Sequence, residues 1–131
     1  MVVDNATIIS QLYESFARGD VTAVLERLDP AVEWFEAEGY PAVGGRHVGH
    51  AGVVEALSRV AADWDQLALI PDRFVAQDSC VIVLGVVSGS YRASRKSFRS
   101  RFAHEWLLRN GLVTLWRAHL DTALVREATT G

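Results

Sequence analysis

The stretch "RFAHEWLLRNGLVTLWRAHLDT" at residues 101–122 decides how this chain reads. Asn110-Gly111 separates two runs in which apolar and polar residues alternate. That is the strongest short hairpin signal available, because both central residues of a type I′ turn need positive φ. A two-residue turn sets Arg109 opposite Leu112 and pairs each step back with one step forward. His104 then faces Arg117, Phe102 faces His119, Ser100 faces Asp121 and Trp106 faces Leu115. Directly opposed residues share a sheet face. His104, Arg117, His119 and Asp121 are therefore expected together, beside Phe98, Phe102, Trp106, Val113 and Leu115. Trp116, Ala118 and Leu120 are expected on the opposite face with Ala103 and Leu107. A bulge in either strand would swap part of this arrangement.

An apolar face with a few convergent polar groups has the make-up of a small-molecule pocket. The same four groups in solid core would need partners, since burying them unpaired is costly. A purely structural network, with Glu36 of an earlier strand as a member, is the competing reading.

Upstream, Ile9, Leu12, Tyr13 and Phe16 recur at helical spacing and Gly19 stops the helix. Asp20 caps a second helix with Val24, Leu25 and Leu28 on one side, and Asp29-Pro30 ends it. "AVEWFEA" (31–37) alternates as a strand with Val32, Trp34 and Glu36 on one face. Residues 38–49 read as a glycine-rich loop. A third helix carries Val53, Leu57, Val60 and Trp64. From there the period is two, with strands expected at about 66–77, 79–91, 97–109 and 112–125. Helices grouped before a run of strands joined by short turns indicate an α+β domain, its helices covering one face of an antiparallel meander.

The totals agree with one domain. The 131 residues suffice for a single core, half of them are hydrophobic, and the net charge is −3. No electrostatic case for nucleic acid follows, because the basic residues are scattered apart from "RASRKSFRSR" (92–101), which reads as a solvated junction. The single Cys80 excludes an internal disulfide and fills an apolar strand. No membrane span or signal-peptide pattern is evident, so a cytoplasmic location is expected. His104 and His119 with a carboxylate have the make-up of a two-His-one-carboxylate set, but no diagnostic spacing supports it and no metal is assigned. His47 and His50 read as surface loop residues. The glycines at 44–45 lack the surroundings of a phosphate cradle.

Taken together, "FARGDVTAVLERLDPAVEWFEAEG", the "GG…VGHAGVVEAL" segment and "FAHEWLLRNGLVTLWRAHLDTALV" resemble the nuclear transport factor 2-like superfamily, in particular its SnoaL-like, ketosteroid-isomerase-related branch. The F-x-H-x-W strand (Phe102, His104, Trp106) is the most specific piece. The resemblance implies a cone-shaped, curved antiparallel sheet wrapped around three helices, a cystatin-like α+β roll, with a hydrophobic pocket at its open end and dimerisation through the convex face. Trp116 and Leu120 would then be dimer contacts. By resemblance to the cyclases, Asp121 is the acid–base group. Steroid isomerases carry their base on the early strand, where this chain has Trp34, Glu36 and Glu38. Epoxide hydrolases need two Asp around an Arg, and only one Asp is offered here.

The sequence thus leads to a single domain over residues 1–131 that binds a small, mainly apolar molecule with a carbonyl or hydroxyl group. Asp121, His104 and His119 are the candidate catalytic residues. Trp34, Glu36, Phe102, Trp106 and Arg117 are the candidate substrate contacts, and no cofactor is expected. An apolar pocket raises a carboxyl pKa and lowers that of an imidazole, which suits proton transfer beside a carbonyl. A non-catalytic ligand-binding or dimerisation module is the alternative from a different class.

Overall fold

The computed structural model describes residues 3–130. Helix α1 (Asn5–Ala17) starts where the Asp4 carboxylate accepts the Thr7 N–H at 2.8 Å, and it buries Ile8, Ile9, Leu12 and Tyr13. Gly19, at φ +69°, turns the chain after it. Asp20 accepts from the Ala23 N–H at 3.1 Å and opens α2 (Val21–Glu26). These are the stop and the cap expected from sequence.

Strand β1 (Leu28–Glu36) begins earlier than expected and runs through Asp29-Pro30, with a register shift between Leu28 and Glu33. The glycine-rich loop contains a short strand, β2 (Gly45–Val48), antiparallel to β1. Its glycines hid it, because they carry no strand propensity of their own. Helix α3 (Gly49–Asp63) follows. Trp64 closes that helix but belongs to β3 (Trp64–Gln77) rather than to the helical stripe.

Strands β4 (Cys80–Tyr91), β5 (Ser97–Arg109) and β6 (Leu112–Leu120) complete one six-stranded curved sheet in the order β2-β1-β6-β5-β4-β3. Neighbours are antiparallel except β1 and β6, which run parallel. The last strand stops at Leu120 instead of 125, and α4 (Thr122–Thr129) takes over. Asp121 decides this, because its carboxylate accepts from the N–H groups of Ala123 (3.1 Å) and Leu124 (3.4 Å). An aspartate in that position satisfies the orphan donors of a helix start. Val125 and Ala128, three apart, then face inward.

The apolar side chains of α1, α2 and α3 meet the concave side of the sheet, and there the core forms. Two glycines of β4 allow the sheet to close over it. Gly85 stands opposite Phe102, and Gly89 stands opposite Phe98. A Cβ on Gly85 would lie 2.3 Å from the Ile70 carbonyl oxygen and 2.7 Å from the Phe102 ring. Only a residue without a side chain lets the ring cross the strand there.

Candidate functional site

The hairpin turns where expected: Asn110 (φ +52°) and Gly111 (φ +78°) both lie in the left-handed region. Arg109 pairs Leu112 and Leu108 pairs Val113, but the next pair is Leu107 with Leu115. Thr114 is an extra residue, and its hydroxyl donates to the Leu107 carbonyl at 3.3 Å. The side-chain period of a strand is two, so one inserted residue reverses every face beyond it. Trp106 therefore pairs Trp116, His104 pairs Ala118 and Ala103 pairs His119.

This corrects the expected constellation. His104 stays on the concave face, while Arg117 and His119 point to the convex side. The Arg117 guanidinium lies 4.5 Å from the Phe35 ring centroid and 3.4 Å from the Glu105 carboxylate. His119 is exposed, and Asp121 is exposed at the start of α4. Conversely, Trp116 and Ala118 are buried and are not convex-face contacts. The bulge is favourable because the alternative would bury a guanidinium and expose an indole, and an unpaired buried charge costs far more than one missing ladder rung.

His119 and Asp121 line an open convex-side groove with Arg99 and Arg101. Several of its polar groups are already engaged. Arg101 forms a two-bond pair with Asp72 at 2.6 and 3.2 Å, and Asp121 caps its helix.

The concave side holds a different polar set. Tyr13 Oη lies 2.6 Å from His104 Nδ1, and Trp106 Nε1–H donates to the same Tyr13 oxygen at 3.1 Å. Burial pushes the Tyr13 phenol far up, so it keeps its proton. Burial, with the nearby His119 charge, pulls His104 down to about 3, so its ring is neutral. With Trp106 donating to the Tyr13 oxygen, Nδ1 is the one acceptor in reach of the phenol proton among the bonds described, and this pairing puts the imidazole proton on Nε2. Glu36 is buried on β1 and accepts from Trp34 Nε1 at 3.3 Å. Burial raises its pKa to about 7, against the lowering effect of that hydrogen bond. Burial and the negative charges of Glu36 and Asp63 push Tyr40 upward in turn.

Trp34 and Trp106 are 1% and 0% exposed, and Phe102 is 3% exposed. They pack on one another and on Tyr13 rather than walling an open space: Trp34–Trp106 6.1 Å, Tyr13–Trp106 5.8 Å and Tyr13–Phe102 6.3 Å between ring centroids. The open space lies next to them. A cavity of about 300 Å³ sits between the α1–α2 turn, α3 and the start of β3, walled by Phe16, Val24, Leu57, Val60, Trp64 and Leu67. Phe16 separates it from the polar set, its ring centroid 6.4 Å from Trp34 and 6.5 Å from Tyr13.

Tyr13, Tyr40 and Trp116 escaped the sequence reading. Tyr13 sat within an apolar helical stripe, and its hydroxyl was the one available sign that this stripe had a polar partner. For Trp116 the sign was Leu115-Trp116, two large apolar residues in succession, which marks a slip of phase.

His47 and His50 are structural. Their Nε2 atoms bond to the carbonyls of Val43 (2.7 Å) and Leu28 (2.9 Å). Among the described residues no cluster of His, Cys, Asp and Glu has the arrangement of a metal site. None of the described helices is long and apolar enough to cross a membrane.

A family model described as a SnoaL-like domain matches residues 9–116. The chain belongs to the SnoaL-like family. Among solved structures, it is similar to an NTF2-like protein from Burkholderia thailandensis (29% identity, 99% of this chain and 100% of that one, TM-score 0.95). It is also similar to TerC co-crystallised with polyporic acid (30% identity, 93% and 95%, TM-score 0.84). A protein with a ketosteroid isomerase-like fold from Catenulispora acidiphila, in complex with trimethylamine, shares the fold (12% identity, 93% and 91%, TM-score 0.80). Among proteins with curated descriptions, none matches the sequence significantly.

Proposed function

We propose that this SnoaL-like protein takes a small, mainly apolar molecule with a carbonyl or hydroxyl group and moves a proton beside that group. The observation that carries the reading is the buried Glu36 carboxyl on the same concave face as the Tyr13–His104 pair, behind an apolar mouth. A carboxyl held near pH 7 is suited to take and return a proton at neutral pH. A neutral imidazole with its proton on Nε2 is suited to donate to the oxygen on which charge develops. Tyr13 fixes that tautomer and is a positioning residue. Proton transfer of this kind needs no redox or group-transfer cofactor. That TerC was crystallised with polyporic acid supports a flat cyclic oxygen-bearing ligand as the class to try first.

Glu36 replaces Asp121 as the preferred proton-transfer group, because Glu36 is buried, whereas Asp121 is exposed and its carboxylate is engaged as the α4 cap. Ligands are sought by tryptophan fluorescence and thermal shift with cyclic ketones and aromatic polyketide-like compounds, and turnover is then followed on those that bind. Glu36→Gln is expected to lower turnover ~10²–10⁴-fold, the range of a positioned acid–base group. Asp121→Asn is expected to leave turnover and stability nearly unchanged, since Asn caps a helix as well as Asp. Asp121→Ala costs about 1 kcal/mol of stability. The reverse pattern of turnover would return the catalytic role to Asp121.

A non-catalytic binding module is the second reading. The mouth cavity favours it, because its walls include neither Glu36 nor His104. A ligand that binds without turnover and is insensitive to Glu36→Gln would select this reading.

We also propose a homodimer through the convex face. Ile70 and Val75 of β3 are 61% and 48% exposed. The register places Val86 and Ile82 of β4 beside them. Arg73, opposite Leu84, is a charged residue between these two pairs, and apolar exposure on this scale around it marks a contact surface.

A further inference from the structure

One side-chain polar atom in the described core has no hydrogen-bond partner: Nε1 of Trp116. Two other buried indoles are satisfied. Trp106 donates to Tyr13, and Trp34 donates to Glu36. The Trp116 ring is held by its neighbours, stacked on Trp34 with centroids 4.1 Å apart and edge-on to His104 at 5.0 Å. A buried donor without an acceptor is destabilising, a cost that an apolar ring in its place would not carry.

The surroundings indicate what the donor is for. Ala118, two residues further along the same face, stands opposite His104. The parallel register that sets Phe35 beside Arg117 brings Glu36 alongside Ala118 one step on. The smallest side chain in this row thus lies between the Glu36 and His104 positions, two residues from Trp116 on the same strand. Three acceptors of this face already carry bonds: Tyr13 Oη from Trp106, His104 Nδ1 with Tyr13 and Glu36 Oε2 from Trp34.

We propose that Trp116 Nε1–H is the hydrogen-bond donor for the carbonyl oxygen of the bound molecule, acting beside His104. This rests on the concave face being the small-molecule site. The ligand reaches it from the mouth cavity by displacing Phe16, whose ring packs against Trp34. Two donors converging on one oxygen hold developing negative charge better than one. The site then distinguishes a ketone from the hydrocarbon of the same shape, because only the ketone satisfies the waiting donor.

The test uses the full chain and the pair α-tetralone and tetralin, which differ by a carbonyl in place of a methylene. Indole N–H resonances are followed by NMR in ¹⁵N-labelled protein, with Trp116 assigned through its backbone. α-Tetralone is expected to move the Trp116 indole proton downfield, and tetralin to leave it in place. Trp116→Phe is expected to weaken α-tetralone binding about tenfold, the loss of one net hydrogen bond. Tetralin binding should be unchanged. Equal weakening of both ligands would make Trp116 an apolar wall and overturn the proposal. So would a resonance already at the hydrogen-bonded position and unmoved by α-tetralone, which would assign the donor to a resident water. If Trp116→Phe does not fold, the wild-type resonance still decides. Binding of both compounds with no response at Trp116 overturns this inference alone. If neither compound changes any indole resonance or the melting temperature, the pocket reading fails and the inference fails with it.

Discussion

Glu36 and His104 place opposite demands on the fold. Burial raises the Glu36 pKa from 4.5 to about 7, so folded protein holds a proton that the unfolded chain releases. Its contribution is fully favourable below pH 4.5 and is lost as pH rises toward 7. At 1.36 kcal/mol per pH unit this amounts to roughly 3 kcal/mol. His104 acts in the other direction. Its pKa falls from 6.5 to about 3, so the unfolded chain gains a proton first as pH drops. That contribution is present above pH 6.5 and is lost toward pH 3. Between 4.5 and 6.5 the two slopes oppose each other and stability should be nearly flat. Urea melts of Glu36→Gln across pH 4 to 8 should reveal the His104 slope alone, with stability rising from acid to pH 6.5 and then level. A wild type that rises as steeply as the variant in the 4.5–6.5 window would mean that Glu36 is ionised in the fold.

At the scale of elements, the β5–β6 hairpin shows how one residue reassigns a site. Asn110-Gly111 and the alternation of β5 are local, and they were legible. Thr114 was not, because a bulge is selected by what the rest of β6 must bury. Deleting Thr114 should restore the simple two-residue register. That would turn Trp116 and Ala118 outward and Arg117 and His119 into the aromatic core. The expected result is loss of the cooperative thermal transition, with tryptophan emission shifted to the red. A deletion variant that melts like wild type would show that β6 re-bulges elsewhere. The end of β6 followed the same logic. Leu124 and Val125 look like strand continuation, yet Asp121 starts a helix there. Recognising an N-cap requires knowing that the next turn has something to pack on, here Val125 and Ala128 against the rest of the core.

For the whole molecule, the reassigned face also moves the expected dimer contacts. Trp116 was expected outside and lies inside, so the convex apolar patch is built instead from β3 and β4. Ile70→Glu introduces a charge at its most exposed apolar position. Sedimentation at micromolar concentration should show a dimer for wild type and a shift toward monomer for this variant. The variant's melting temperature should change little at concentrations where wild type is already monomeric. A wild-type monomer at high concentration would remove the proposal and leave the patch uncovered.

By itself the sequence determined the α+β class, the antiparallel meander, the hairpin turn, the Asp20 cap and the inward side of Trp34 and Glu36. Each of these depends on residues close together in the chain, where periodicity, a glycine or a capping carboxylate acts within a few positions. The tertiary structure alone decided that Tyr13 bonds to His104 across 91 residues, that Thr114 bulges, and that Asp121 ends β6 by capping a helix. The physical reason is that strand parity is a global quantity. One inserted residue costs a single rung of local pairing, and its benefit, burying an indole and freeing a guanidinium, is felt only when α1 and the whole curved sheet are in place.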